Sequence, residues 1–428
     1  MSARKHQLAV NVASLLTLQA ANYVIPLVLL PFLARVLGIE RFGLLSFVQA
    51  FCMYFVLVTE YGFNLSATRS VAAARDDRAA LARIFWSTMV ARALLGVACL
   101  VVLVATVLVV PRMRPDLAAY LAGALAILTA MVTPSWYFQG MEIIRSLAVS
   151  QLVGRVVTTA AIFVLVKGPG DVNLVLIVQG GGMLVVGLVG WVMMARWAPV
   201  PFHGVTWRSL WDRYRDGWHV FLSSAAISLY TTSNVFILGL LTSNTQVGYY
   251  SIAEKISRAA CGFIGPVSQA VYPRIASLMA TSRKQAFQLL CRVFWGLTAV
   301  GAAVFLLLVS APQLFILVIA GNGWEPAVTP LRWLSMLPLA VAVSSVLGTL
   351  TMLNVGLERP FAKIVAYSGV LNVAALAVGS LTLQADGAAI ALSLTEWVVV
   401  ALMAVVLRRR GILMNVIGSP QRLHTLTA

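Results

Sequence analysis

Apolar stretches of about 20 residues or more recur along the whole chain, and they dictate the solvent it folds in. A helix needs about 20 apolar residues to cross the hydrocarbon core of a bilayer, and segments such as 86–110 and 387–407 reach that length. Only 11% of the 428 residues are charged, against about 25% in soluble domains. A chain of this size with so little charge cannot cover a water-facing surface. The expected fold is therefore an all-α polytopic membrane protein.

Spans are predicted over 8–34, 42–65, 86–110, 117–138, 148–166, 174–195, 218–241, 248–272, 292–311, 331–354, 363–383 and 387–407. The segment 313–330 is apolar in its first half but is interrupted by Gly321, Gly323, Pro326 and Pro330. It reads as a helix extension or an interfacial segment. The first apolar run follows Arg4 and Lys5, exceeds the length of a signal-peptide core and has no clear cleavage site after it. It is expected to remain as the first span.

Positive charge sets the expected orientation. With the N-terminus in the cytoplasm, twenty-one of the 31 Lys and Arg residues fall in cytoplasmic segments and six in outer ones. The arginine groups Arg69, Arg75, Arg78, Arg83 and Arg408, Arg409, Arg410 dominate the inner side. Lys and Arg concentrate in cytoplasmic loops, so both termini are expected inside. The net charge of +17 has its origin here, and a nucleic-acid partner is not expected.

The loops are too short for a folded catalytic domain. The longest, near 196–217, is rich in Trp and Arg, and Trp207, Trp211, Tyr214 and Trp218 suit an amphipathic interfacial helix. It divides the chain into an N-terminal six-helix lobe (1–195), a cytoplasmic linker (196–217), a C-terminal six-helix lobe (218–407) and a basic tail (408–428). Displacing the second half by 205 residues brings Gly248 onto Gly43, Ser251 onto Ser46, Arg274 onto Arg69, Arg283 onto Arg78 and Gly301 onto Gly96. Both copies begin on the same side, which predicts a parallel pseudo-two-fold repeat with a cleft between the lobes.

Soluble-enzyme chemistry finds no support. The chain has no Gly-x-x-x-x-Gly-Lys-Ser/Thr phosphate loop, no His-Glu-x-x-His helix and no Gly-x-Ser-x-Gly elbow. Cys52, Cys99, Cys261 and Cys291 lie far apart within apolar segments, and the four histidines form no cluster. No metal, cofactor or catalytic residue is expected.

Ionisable residues inside spans carry the functional signal, because a charge at membrane depth is costly unless it meets a partner or a wet cavity. Glu254, Lys255 and Arg258 share one helical face. Glu254 and Arg258 alone would make a structural pair, but three charges in five residues favour a cationic cavity site. Arg92 and Arg155 add two cations, each near enough to the cytoplasmic end for its long side chain to snorkel instead. Glu60 lies on one face with Gln49 and Asn64 and is a candidate for ion coupling or a plain interfacial carboxylate. Glu396 sits nearer mid-membrane without a local cation and is a candidate proton site. Asn22 and Asn234, in the polar spans that also hold Asn11, Ser14, Ser223, Ser228 and Thr232, either join helices or bind a polar cargo. Pro26 and Pro31 can bend the first span. The glycines Gly180, Gly181, Gly182, Gly187 and Gly190 suit close helix packing.

Three passages carry a resemblance: NYVIPLVLLPFLARVLGIERFGLLSFVQAF, TEYGFNLSATR, and VGYYSIAEKISRA followed by GPVSQAVYPRI. They resemble the Wzx-type O-antigen and polysaccharide flippases of the multidrug/oligosaccharidyl-lipid/polysaccharide flippase superfamily. The likeness is specific at 20–85 and 248–276 and general elsewhere. It implies a MATE-like fold in the bacterial inner membrane. It also implies an undecaprenyl-diphosphate-linked oligosaccharide as cargo, moved from the cytoplasmic to the periplasmic leaflet by alternating access. A polysaccharide polymerase and a chain-length regulator are implied partners. On this reading Lys255, Arg258, Arg92 and Arg155 hold the diphosphate, Asn22, Asn64 and Asn234 meet the sugar, and Glu60, Glu254 and Glu396 are candidates for ion coupling.

A MATE-like drug/ion antiporter is the main alternative, although its cationic substrates would favour carboxylates over this excess of intramembrane Arg and Lys. A membrane polymerase or ligase would need a larger outer loop. A peptidoglycan-precursor flippase would carry two further spans.

Overall fold

A computed structural model describes the backbone of residues 2–197 and 199–418, with the side chains of 2–24, 144, 226, 227 and 229–231 set aside. Among the described residues every regular element is helical. Helices satisfy each backbone N–H and C=O within one segment, which hydrocarbon requires. The chain divides into two compact units, Met1–Ser228 and Leu229–Ala428.

The first unit begins with α1 (Ser2–Glu60), broken at Gly38, and α2 (Phe63–Ala73). Then come α3 (Arg78–Val109), α4 (Leu117–Gly123), α5 (Leu125–Val132), α6 (Ser135–Gly140), α7 (Ile144–Leu165) and α8 (Val172–Trp197). The boundary with the second unit falls inside α9 (Trp207–Thr231). This helix starts within the expected linker and runs through residue 217 without a break.

The second unit continues with α10 (Ser233–Leu241), α11 (Asn244–Ala260), α12 (Ile264–Thr281), α13 (Arg283–Ser310) and α14 (Pro312–Ala320). It closes with α15 (Val328–Leu334), α16 (Leu337–Ser344), a π-helical stretch Ser345–Met352, α17 (Glu358–Arg409) and α18 (Leu413–Ile417). The ambiguous segment 313–330 is thus a short separate helix that stops at Gly321 and a 3-10 turn over Glu325–Ala327.

Eight helical stretches among the described residues are long and apolar enough to cross a membrane. Two of them, Ile25–Ala73 and Glu358–Arg409, have 49 and 52 residues, room for two crossings each at about 20 residues per crossing. Both contain a break: Gly38 at φ 72° and Gln384 at φ 53°. Gly38 carries no Cβ and enters this left-handed region at little cost, so the break falls there and not at Pro26 or Pro31. The predicted spans 218–241 and 248–272 are not among the eight stretches. Each is divided, at Thr232 and at Cys261–Phe263, and the second carries the three charges of 254–258.

The helix starts follow local chemistry. The Asp77 carboxylate accepts from the N–H groups of Ala79 and Ala80 at 2.9 and 3.0 Å, capping α3. Ser282 accepts from Gln285 N at 3.5 Å at the start of α13. A cap of this type contributes about 1 kcal/mol. These caps stand at positions the 205-residue displacement relates, as do the first helical residues Arg78 and Arg283.

Lipid exerts little hydrophobic force between helices, so close packing does the work. A Cβ on Gly180 would lie 2.6 Å from Leu125 Cβ, and one on Gly187 would lie 2.5 Å from Thr133 Oγ1. The α8 glycines therefore let α5 approach, as their spacing suggested. Phe63, Phe85, Trp136, Tyr137 and Phe138 form a buried aromatic core in the first unit. Phe85 meets Tyr137 edge-on at 5.3 Å. Leu290, Val346, Leu350, Met403 and Leu407 centre the core of the second. Val97, Val101, Val102 and Val109 of α3 stay exposed, the apolar face a bilayer would cover.

Candidate functional site

In the first unit the site forms where a helix is interrupted. Pro134 has no N–H, and α5 stops at Val132. Because the chain turns extended at Thr133, the carbonyls of Val132 and Thr133 lie outside the helical ladder. Trp191 Nε1 donates to Val132 O at 2.8 Å, and Arg92 Nη1 donates to Thr133 O at 2.9 Å. Arg92 is 1% exposed, so it does not snorkel. Its Nε has no hydrogen-bond partner among the described residues.

Arg92 lines a cavity of about 460 Å³ with Glu60, Arg155, Gln49, Gln151 and Gln179. Glu60 interacts electrostatically with Arg92. Gln49 Nε2 donates to Gln179 Oε1 at 2.8 Å across the cavity wall. Asn64 adjoins it, its Oδ1 accepting from the cavity residue Ser135 at 3.4 Å. Thus Glu60, Arg92 and Arg155, predicted from three separate spans, share one chamber. Asn22 lies outside the described residues.

In the second unit Glu254 and Arg258 form the i,i+4 pair their spacing predicts. Arg258 Nε and Nη2 each reach Glu254 Oε1 at 2.8 Å. The side chain of Arg258 is 47% exposed and that of Glu254 9%. Lys255, next to Glu254 in sequence, is half-buried. Glu396 of α17 interacts electrostatically with Arg258, which gives it the cation absent from its own sequence neighbourhood. Asn234 is buried and its Oδ1 accepts from Asn372 Nδ2 at 3.0 Å. The carbonyls at the α15–α16 interruption are again captured by side chains: Ser257 Oγ donates to Leu334 O at 2.6 Å and Ser393 Oγ to Trp333 O at 2.8 Å.

Sequence reasoning did not single out Gln151, Gln179, Thr133 or Asn372. An amide inside an apolar span was the available signal for three of them. Thr133 could be found only through the proline that follows it.

This architecture, with arginines and amides lining a chamber inside a helical membrane unit, has relatives. A family model described as "Polysaccharide biosynthesis protein" matches residues 8–279. The chain belongs to the polysaccharide biosynthesis protein family. Both stretches in which the resemblance to Wzx-type flippases is specific lie within that match.

Within the family neighbourhood, the chain is 32% identical over 421 residues to a "Putative O-antigen transporter" of Escherichia coli (strain K12), covering 96% of this chain and 100% of the relative. A protein of the same name from Shigella dysenteriae is 25% identical over 368 residues, covering 85% and 90%. Among solved structures, "Lipid II flippase MurJ, inward closed conformation" aligns with a TM-score of 0.70 at 11% identity, over 96% of this chain and 92% of that one. An inward-facing multidrug resistance MATE family transporter aligns with a TM-score of 0.58 at 15% identity, over 94% and 96%. The family member described here therefore has the fold shared by MurJ and the MATE transporters and is a multi-pass membrane protein.

Proposed function

We propose that this protein is a flippase for undecaprenyl-diphosphate-linked oligosaccharide repeat units. It moves them from the cytoplasmic to the periplasmic leaflet of the bacterial inner membrane by alternating access. The observation that supports this reading is the buried Arg92, whose Nε has no hydrogen-bond partner among the described residues, at the wall of a chamber that also holds Arg155. A buried guanidinium with a spare donor is matched to a phosphate oxygen by charge and by its planar fork. The relatives named O-antigen transporters support the same cargo class.

Each predicted residue then has a task. Arg92 and Arg155 in the first unit, and Lys255 and Arg258 in the second, neutralise the diphosphate at successive stages. Gln49, Gln151, Gln179, Asn64 and Asn234 offer amide groups to sugar hydroxyls, and Asn22 has the same assigned role. Glu60, Glu254 and Glu396 couple transport to an ion gradient by exchanging their bound cation or proton with cargo charge. The positive-inside bias supports a cytoplasmic position for both termini. A polymerase and a chain-length regulator would receive the product on the periplasmic side.

The test is deletion of the gene in its own host, scored for surface polysaccharide and for lipid-linked repeat units held on the cytoplasmic side. Loss of polymer with trapped intermediates, reversed by the wild-type gene but not by Arg92→Ala, is the expected result. Normal polymer in a host shown to lack a second flippase would overturn the reading and redirect attention to drug export.

A further inference from the structure

A second cavity of the first unit, about 690 Å³, opens beside the linker helix and is separate in composition from the chamber of Arg92. Its walls include Tyr61, Trp211, Tyr214 and Trp218, and among the described residues its cationic or titratable nitrogen groups are Arg215 and His219. Trp211, Arg215, Trp218 and His219 follow the i, i+4, i+7, i+8 pattern of one helical stripe. We propose that this cavity binds an anionic lipid with a phosphate head. The phosphate meets Arg215 and His219, and the hydrocarbon chain lies along Trp211, Trp218 and Leu95.

The wall is tightly built. Tyr61 holds a left-handed backbone at φ 44°, a conformation costly for a bulky residue and found where surroundings enforce it. Its ring stacks on Phe221 at 4.8 Å and 12° and meets Tyr214 edge-on at 5.5 Å. Gly62 and Gly217 permit this approach. A Cβ on Gly62 would stand 2.8 Å from Phe221 N, and one on Gly217 would stand 2.8 Å from Tyr61 O. Tyr214 OH donates to Ala91 O at 3.0 Å, and Arg213 Nη1 donates to Ser70 Oγ at 3.1 Å, fastening α9 to α3 and α2.

Arg213 and Arg215 divide the labour. Arg213 is spent on Asp216 at 3.1 Å and on Ser70. Arg215 is exposed and forms no ion pair among the described residues. The lipid character of the ligand follows from the apolar setting. Trp207, Trp211 and Trp218 are 74%, 63% and 45% exposed. Tryptophans interspersed with arginines belong at the headgroup level of a bilayer, where rings face acyl chains and guanidinium groups face phosphates. A free phosphate would leave those rings in water, and a neutral sugar would leave Arg215 without an anion.

This inference requires only that the chain resides in a bilayer, so it stands or falls independently of the transport reading. Two sources share the ligand chemistry: an ordinary anionic phospholipid and a polyprenyl phosphate of the type that carries glycans.

Native mass spectrometry of the full-length protein, released from detergent with added phosphatidylglycerol, phosphatidylcholine or undecaprenyl phosphate, tests it. One anionic phosphate-headed lipid is expected to stay bound, with retention falling at least about tenfold in Arg215→Gln, since a charge-assisted phosphate contact is lost. Trp218→Leu should weaken retention of every lipid chain, and Arg208→Ala should change nothing. Preference for undecaprenyl phosphate identifies the glycan carrier, and equal retention of phosphatidylglycerol identifies a bulk anionic lipid. Either supports the site. Retention of phosphatidylcholine as strong as phosphatidylglycerol, or Arg215→Gln indistinguishable from wild type, overturns it. Should Arg215→Gln fail to fold, Arg215→Met, which keeps an unbranched stem and removes the charge, supplies the same comparison.

Discussion

Arg92 donates to the carbonyl oxygen of Thr133 at 2.9 Å, joining the middle of one membrane helix to the break in another. The bond engages one arm of the guanidinium, and Nε has no hydrogen-bond partner among the described residues. Arg92→Ala should therefore have two effects. Flipping should be lost, seen as trapped lipid-linked repeat units. Stability should fall by about 1–3 kcal/mol, because a carbonyl loses its partner in a dry setting. Arg92→Lys should recover part of the stability and little transport, because an ammonium lacks the planar fork. Thermal unfolding in detergent separates the two readouts.

The close approach at Gly62 predicts a second outcome. Gly62→Ala forces a Cβ into the backbone of Phe221 at a position already at φ 72°. The expected result is a drop in midpoint temperature of several degrees, or no folded protein in the membrane. Gly181→Ala is the control, since nothing lies within 4 Å of its added Cβ. Alanine there should be neutral or stabilising by up to about 1 kcal/mol, the usual helix preference over glycine.

Glu254 and Arg258 should behave as a coupled pair. Arg258 is 47% exposed, so the pair's net effect on stability is small, about 0.3–1 kcal/mol after solvent screening. Transport is the sensitive readout. Glu254→Gln and Arg258→Gln are each expected to abolish it, and the exchanged double variant E254R/R258E should fold but not flip. Recovered flipping in the exchanged form would show that the pair is structural only.

The pair Arg75–Glu142 lies outside the apolar stretches and gives a pH prediction. Arg75 Nη2 approaches Glu142 Oε1 at 2.8 Å. That hydrogen bond, and then the charge of Arg75, hold the Glu142 carboxyl below the usual carboxylate range. A depressed folded-state pKa adds stability above the unfolded value and loses it as pH falls through the folded one. Glu142→Gln should lower the midpoint temperature slightly at neutral pH, and the difference should vanish in acid. A difference independent of pH would assign the effect to Arg75 Nε bonding Gly140 O at 2.6 Å.

Much of the candidate site was legible in the sequence because charge is rare in hydrocarbon and therefore conspicuous. Glu60, Arg92, Arg155, Glu254, Arg258 and Glu396 all drew attention for that reason. Their partners were not legible. Glu396 seemed to lack a cation because Arg258 lies on another helix. Gln179 and Asn372 carry no reading from the sequence, and only the fold places them opposite Gln49 and Asn234.

The sequence by itself determined the solvent, the helical class and the glycine-lined helix contacts, since these depend on local composition and on the need to satisfy the backbone in lipid. The family was likewise written in contiguous passages. Only the tertiary structure decided that the break at Pro134 presents a carbonyl to Arg92, that Gly62 and Gly217 bring Tyr61 against the linker helix, and that Arg213 pairs with Asp216 while Arg215 forms no ion pair among the described residues. Those outcomes depend on which helices cross and at what distance, and packing across long sequence separations sets both.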